Sequence, residues 1–338
     1  MSRNHSVKLE VKNLSIRFGQ GTPVRDSHFT IEPGQAVGVV GESGSGKSLT
    51  SLAIMGLLPS HAQVSGQILW NGHDLLKASP SVHREIRGRE IAMIFQDPMS
   101  SLNPSFTVGF QIDEVLKLRL GMSSAAARRE RGIQLLSEVG IPAPAERWNT
   151  YPHQMSGGMS QRVSIAMALA GEPKLLIADE PTTALDVTVQ MQILELLARL
   201  KRTHGMSLLF VTHDLAVASH VCDDIVVFYA GRTVERATAR DLLTDPKHPY
   251  TQALLRARPQ PGEEARARLQ SIEGTVPRAT EIIPGCVFAS RCEKVFDRCT
   301  KEVPPRFRVQ RDGESRETEF SSCFLVDPNG PHGAARSK

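Results

Sequence analysis

The sequence predicts an α/β domain on a parallel sheet, with an inserted helical block and a small irregular, cysteine-bearing tail. Three observations point there. Short apolar runs alternate with helix-period segments through about residue 245. A glycine-rich turn sits between one of those runs and a helix. Composition then shifts. Residues 1–245 hold 24 basic and 24 acidic side chains, while 246–338 hold 16 and 12 with 10 of the 21 prolines and four of the five cysteines. The shift sets a boundary at Asp245, giving a domain over 1–245, its helical subdomain over about 98–170, and an extension over 246–338.

Taken in order, Val7, Leu9 and Val11, then Leu14, Ile16 and Phe18, alternate as a half-buried strand does. After a turn at Glu32-Pro33-Gly34, Ala36 to Val40 is a short apolar run of the buried-strand type. Lys47 to Leu58 reads as a helix stopped by Pro59, and Gly66 to Trp70 and Ile91 to Phe95 as strands. From Val108 to Val139 the period is helical, and prolines 142, 144 and 152 break it. Helices are expected again over Gln161 to Ala170 and Val187 to Arg202, strands over Leu175 to Ala178, Leu208 to Val211, Ile225 to Tyr229 and Thr233 to Glu235. Past 245 only Thr251 to Arg256 is helical.

With 40% apolar residues among 338, the chain can bury a real core, which excludes disorder as its main state. The best apolar stretch, Leu52 to Leu58, is far short of the roughly 20 residues a spanning helix needs. No apolar signal segment precedes the first strand, so a cytoplasmic protein with peripheral membrane contact is expected. A net charge of +4 is too small to argue for a nucleic-acid partner.

Gly41-Glu-Ser43-Gly44-Ser45-Gly46-Lys47-Ser48 matches the phosphate-binding pattern G-x-x-x-x-G-K-[ST] between a buried strand and a helix. Glycines let successive N–H groups turn toward phosphate oxygens, and the helix N-terminus adds positive dipole. Lys47 can reach the β- and γ-phosphates of ATP, and the Ser48 hydroxyl can ligate Mg²⁺. Farther on, an apolar strand ends in Asp179-Glu180, at the end of a strand where open α/β sheets bind ligands. Asp179 is expected to hold Mg²⁺ and Glu180 to orient the attacking water.

Five further segments make the chain resemble the nucleotide-binding subunit of an ATP-binding cassette (ABC) transporter. Ser156-Gly157-Gly158-Met159-Ser160-Gln161-Arg162 resembles the family's signature motif. That resemblance implies a dimer, because the signature caps the γ-phosphate held by the P-loop of a facing subunit. Gln96, in Ile94-Phe95-Gln96-Asp97-Pro98, resembles the glutamine that touches Mg²⁺, and His213 the switch histidine that contacts the γ-phosphate. Ala184-Leu185-Asp186 resembles the loop lying across the dimer interface. By position, Phe18 is the candidate for stacking on adenine, with core packing as the other reading, and Thr50 joins the cofactor-binding set.

Thr182-Thr183-Ala184-Leu185-Asp186, the Met after Ser-Gly-Gly, and His248-Pro249-Tyr250-Thr251-Gln252-Ala253-Leu254-Leu255 are similar to the peptide-importer branch, some members of which handle nickel or glutathione. Met155 and Ser160 depart from its usual Leu and Arg. The resemblance implies an ATPase at the cytoplasmic face of the inner membrane. Its expected partners are a second, paralogous ABC ATPase in a heterodimer, two transmembrane permease subunits and an extracytoplasmic solute-binding protein. Rival readings are an exporter ATPase, which leaves the His-Pro-Tyr tail unexplained, and a non-transport cassette acting on nucleic acid or ribosomes. The absence of sustained heptads and of a second cassette disfavours the latter.

Cys286, Cys292, Cys299 and Cys323 form C-x₅-C-x₆-C and a distant fourth. Thiolates suit soft metals and a reducing compartment disfavours disulfides, leaving a 4Fe–4S cluster, zinc or free thiols. Structural zinc sites usually pair cysteines two to four residues apart, which this run lacks. Gly285-Cys286-Val-Phe-Ala-Ser-Arg291-Cys292 also resembles tails of peptide-importer ATPases that carry an iron–sulfur cluster. Cys222, in an apolar helical stretch, is expected to be a packed small residue.

Overall fold

The computed structural model describes residues 8–97, 101–183, 185–257, 272–311, 316 and 318–330. Met1 to Val7, Pro98 and Ala184, used in the reading above, lie outside them. The strands are β1 (Leu9–Phe18), β2 (Gly21–Ile31), β3 (Ala36–Val40), β4 (Gln63–Trp70), β5 (His73–Asp74), β6 (Ile91–Ile94), β7 (Leu175–Asp179), β8 (Ser207–Thr212), β9 (Asp224–Tyr229), β10 (Arg232–Thr238), β11 (Phe307–Arg308) and β12 (Phe320–Ser321).

They form two sheets. The larger runs β11-β12-β10-β9-β3-β8-β7-β6, and β9, β3, β8, β7 and β6 are parallel. These strands are apolar on both faces because both faces are covered. Val37, Val39, Leu175, Ile177, Leu209 and Val211 point into one core, against the second sheet. Their neighbours Ala36, Val40, Leu176, Ala178, Leu208 and Phe210 point into the other, against the helices. The period of two along each strand thus sorts one apolar run into two cores.

The second sheet, β2-β1-β4-β5, is antiparallel. The sequence reading expected β1 and β4 but passed over β2, whose buried Val24, Ser27, Phe29 and Ile31 include a polar residue that blunts the alternation. The helix after β3 ends at Ile54, not Leu58, because Gly56 turns the chain at φ +61°. The block between β6 and β7 holds helices Val108–Leu120, Ala125–Glu138 and Gly157–Leu169, and Gly121 at φ +66° separates the first two.

The tail is less irregular than expected. β12 pairs with β10 and β11 with β12, so the extension lengthens the main sheet. It also grips the second sheet: Arg25 donates to the carbonyls of Arg278, Ala279 and Glu281, and Arg306 to Asp26. No helix among the described residues is long and apolar enough to cross a membrane.

Candidate functional site: a phosphate cleft and a separate signature cleft

The parallel strands β3, β8, β7 and β6 lie side by side, so their carboxyl ends deliver four segments to one place. β3 runs into the glycine turn, β8 into His213, β7 into Asp179 and Glu180, and β6 toward Gln96. The register pairs Val40 with Thr212, Asp179 with Val211 and Ile94 with Ala178. Glu42, Ser43, Gly44, Gly46, Lys47, Ser48, Gln96, Glu180 and His213 consequently line one open cleft of about 690 Å³, together with Pro23 and Leu49.

The turn needs its glycines. A Cβ on Gly41 would lie 2.2 Å from the Phe228 carbonyl oxygen. Gly46, at φ +96°, would place one 2.7 Å from that of Pro23. Pro23 comes from β2 of the other sheet, a segment with no motif to mark it as a contributor. Lys47 is 4% exposed, and its ammonium donates to the carbonyls of Gly41 at 2.8 Å and Glu42 at 3.0 Å. Burial lowers its pKa, with Glu180, Asp179 and Glu42 acting against that. Ser45 is buried, and the Thr50 hydroxyl donates to the Gly46 carbonyl at 3.0 Å, so it is occupied by its own helix.

Ser48 Oγ donates to Asp179 Oδ1 at 3.0 Å. Burial raises the Asp179 pKa and this hydrogen bond opposes it. Glu180 Oε2 accepts from Gln96 Nε2 at 3.2 Å and Thr183 Oγ1 at 3.0 Å, and His213 Nδ1 stands 3.6 Å away. Thr183 entered the reading only as part of a motif; its grip on Glu180 needs the folded turn. Phe18 is half-buried at the end of β1, its ring edge-on to His61 at 5.5 Å, and is not among the residues lining the cleft.

Ser156, Gly157 and Gly158 line a different cleft, with Met159, Arg162, Leu185, Asp186, Val189 and Gln192. Ser156 caps the helix Gly157–Leu169 by accepting from the Met159 N–H, and no residue of this chain's phosphate loop lines that cleft.

Cys286, Cys292, Cys299 and Cys323 line one small pocket of about 10 Å³ together with Phe288 and Phe324. All are free thiols. Burial, with a smaller contribution from neighbouring cysteines, pushes Cys286 up to about 11 and Cys323 up to about 12. Among the described residues, no group of three or more His, Cys, Asp or Glu side chains is arranged to hold a metal ion. The expected metal site is therefore not preformed around one ion. Cys222 is buried and packs against Gly38 at 3.1 Å from the position a Cβ would take, as a small core residue does.

Comparison with known proteins decides the family. The ABC transporter model matches residues 24–183, and the oligopeptide/dipeptide transporter C-terminal region matches residues 234–299. The dipeptide transport ATP-binding protein DppD of Escherichia coli (strain K12) is 51% identical over 317 residues, covering 92% of this chain and 96% of that protein. The oligopeptide transport ATP-binding protein OppD of Bacillus subtilis (strain 168) is 46% identical, covering 96% and 90%. The chain belongs to the ATP-binding subunits of peptide ABC transporters. Among solved structures, a dimeric bacterial ABC transporter cassette superposes with a TM-score of 0.60 at 28% identity, covering 69% of this chain and 99% of that one. The ABC cassette is an ATPase with the P-loop NTPase fold.

Proposed function

We propose that this cassette hydrolyses ATP to energise the import of dipeptides and oligopeptides through a membrane permease. The observation that carries the reading is the separation of the two clefts. One chain presents the P-loop, Asp179, Glu180 and His213 in one place and the signature serine and glycines in another. Each half is incomplete, and two cassettes facing each other complete both. The peptide cargo is supported by the names of the relatives and by the matched C-terminal region.

Within the site, the triphosphate takes the place of the two carbonyl oxygens as partner of Lys47. The N–H groups of Ser43, Gly44, Ser45 and Gly46 surround its β-phosphate. Ser48 and Asp179 supply hard oxygen donors and Gln96 an amide oxygen, a set suited to Mg²⁺, which would neutralise phosphate charge. Glu180, steadied by Gln96 and Thr183, orients a water against the γ-phosphorus, and His213 contacts the γ-phosphate oxygens. Phe18 supplies an aromatic edge for adenine. Ser156, Gly157 and Gly158 cap the γ-phosphate of the facing subunit through the helix N-terminus. ATP then favours the closed pair because both halves contact its last phosphate, and hydrolysis releases them.

The facing subunit is a paralogous ATPase, and the assembly includes two permease subunits and an extracytoplasmic solute-binding protein. The cassette sits peripherally on the cytoplasmic face of the inner membrane. Residues near 98–150 meet the permease; there Phe106 and Phe110 stack at 4.6 Å while remaining 43% and 47% exposed, an apolar pair suited to docking. Residues 1–245 form the cassette and 246–338 its extension.

Cys286, Cys292, Cys299 and Cys323 hold a 4Fe–4S cluster that staples the extension. The shared lining of one pocket by all four supports the set. Zinc needs all four ligands within about 2.3 Å of one point, whereas a cluster spreads its thiolates over four irons. Anaerobically purified protein should carry about four iron and four sulfide per chain; a colourless, iron-free preparation containing zinc would reverse this assignment.

The cargo is tested with a deletion strain grown on dipeptides or tripeptides as sole source of a required amino acid. Growth should return with the intact gene and not with a Glu180→Gln copy. Restoration of nickel uptake without peptide uptake would sink the peptide reading.

A further inference from the structure

Arg291 belongs to the tail, on the turn between Cys286 and Cys292, yet its guanidinium reaches the phosphate-binding turn. Its side chain is only 4% exposed. Nη1 donates to both carboxylate oxygens of Glu42, at 3.0 and 3.2 Å, and to Tyr229 Oη at 3.2 Å. Nη2 and Nε are used on the carbonyls of Ile272 and Glu273, at 3.0 and 2.9 Å. The guanidinium carbon also stands 5.7 Å from the centre of the Tyr229 ring.

Glu42 is where this matters. Its carbonyl accepts from Lys47 Nζ at 3.0 Å, its N–H donates to Tyr250 Oη at 3.1 Å, and it lines the cleft that takes the triphosphate. A carboxylate there repels phosphate unless its charge is cancelled. Two tail residues therefore hold one residue of the turn, Arg291 by its carboxylate and Tyr250 by its N–H, while the Tyr229 hydroxyl accepts from the same guanidinium.

We propose that Arg291 is a positioning residue of the ATP site, neutralising Glu42 and holding the turn in the shape that Lys47 uses. It acts through Glu42 rather than by touching phosphate. The assignment makes the tail part of the nucleotide site, and it rests on reading the cleft as that site.

The test compares ATPase activity against ATP concentration in the assembled transporter, with melting temperature measured in parallel. Arg291→Gln should raise KM for ATP about tenfold while kcat changes by less than about twofold, since an unpaired carboxylate opposes binding of the anion. Adding Glu42→Gln to that chain should bring KM back to within about threefold of the parent. Should Arg291→Gln fail to assemble, Arg291→Lys keeps the charge and should bind ATP within about threefold of the parent.

An unchanged KM in Arg291→Gln, or a double variant no better than the single one, would overturn the proposal and reduce Arg291 to a structural tie. Lys47→Ala separates the two levels: it should lose ATP binding, and intact binding there would refute the cleft itself and not merely the role of Arg291.

Discussion

Glu180 sits at φ +46°, a left-handed conformation that costs a non-glycine residue about 1–3 kcal/mol, and the surrounding structure holds it there. Its N–H is tied to the Val211 carbonyl at 2.8 Å, and its carboxylate is gripped by Gln96 and Thr183. Strain held in place at a strand end aims a side chain. Glu180→Gln keeps the shape and loses the proton acceptor, so ATP binding should persist within about threefold while turnover falls by about 10² or more. Equilibrium binding and steady-state phosphate release check both halves; normal hydrolysis would refute the assigned role. Lys47, Ser48, Asp179 and Glu180 were legible because the P-loop pattern is long and the carboxylates end a recognisable strand, whereas His213 was named by its resemblance to the family's switch histidine. Pro23 and Arg291 were not, because they reach the cleft from β2 and from the tail, segments with no motif of their own.

At the level of elements, the helical block shows how packing adds what periodicity leaves out. Trp148 is 8% exposed and lies between two glycines: a Cβ on Gly109 would come within 2.3 Å of its ring, and one on Gly132 within 2.1 Å. The helices Val108–Leu120 and Ala125–Glu138 therefore close on the indole at positions where only glycine fits. Gly132→Ala should destabilise the isolated cassette by about 1–3 kcal/mol through overpacking, despite the better helix propensity of alanine. Urea unfolding measures it, and an unchanged or raised midpoint would contradict the packing account. The helical period of Val108 to Val139 was readable, but the break at Gly121 and the anchor at Trp148 depend on how two helices turn back on each other.

The tail offers a second element-scale prediction. His248 is 1% exposed and begins the helix Pro249–Arg256 by accepting from the Tyr250 N–H at 3.1 Å. Burial lowers its pKa from 6.5 to about 3, and burial together with the Arg306 charge lowers that of His28 to about 4. In both cases the unfolded chain binds the proton that the folded chain refuses. Their contribution to stability is thus whole above about pH 6.5 and is lost as pH falls toward their folded values. Melting temperature should drop between pH 7 and 5, and His248→Asn, which keeps a capping acceptor, should flatten that drop in part. Identical pH profiles for parent and variant would rule out His248 as a source.

For the molecule as a whole, the decisive fact is that the signature helix end and the phosphate cleft are apart within one chain. Ser156→Arg should leave folding and ATP binding by this chain intact, because its own nucleotide lies elsewhere. Turnover by the assembled transporter should fall about tenfold or more, since a bulky cation then fills a helix end meant for phosphate. Undiminished turnover in that variant would remove the case for a facing pair. The tail also behaves as part of the whole: β12 extends the main sheet, Arg25 and Arg306 bind it to the second sheet, and Arg311 pairs with buried Glu235 of β10.

The chain of residues alone was sufficient for the parallel strands and, through motifs that resemble a known family, for the ATPase and peptide-transporter readings, because apolar period and motif spacing are local properties of contiguous segments. Folding was needed to reveal the antiparallel second sheet, the strands contributed by the tail, the bond from Arg291 to Glu42, and the distance between the two clefts. Those depend on contacts between segments hundreds of residues apart, such as Glu42 and Arg291. No local pattern encodes such a contact; it exists only once both cores have closed around the sheet.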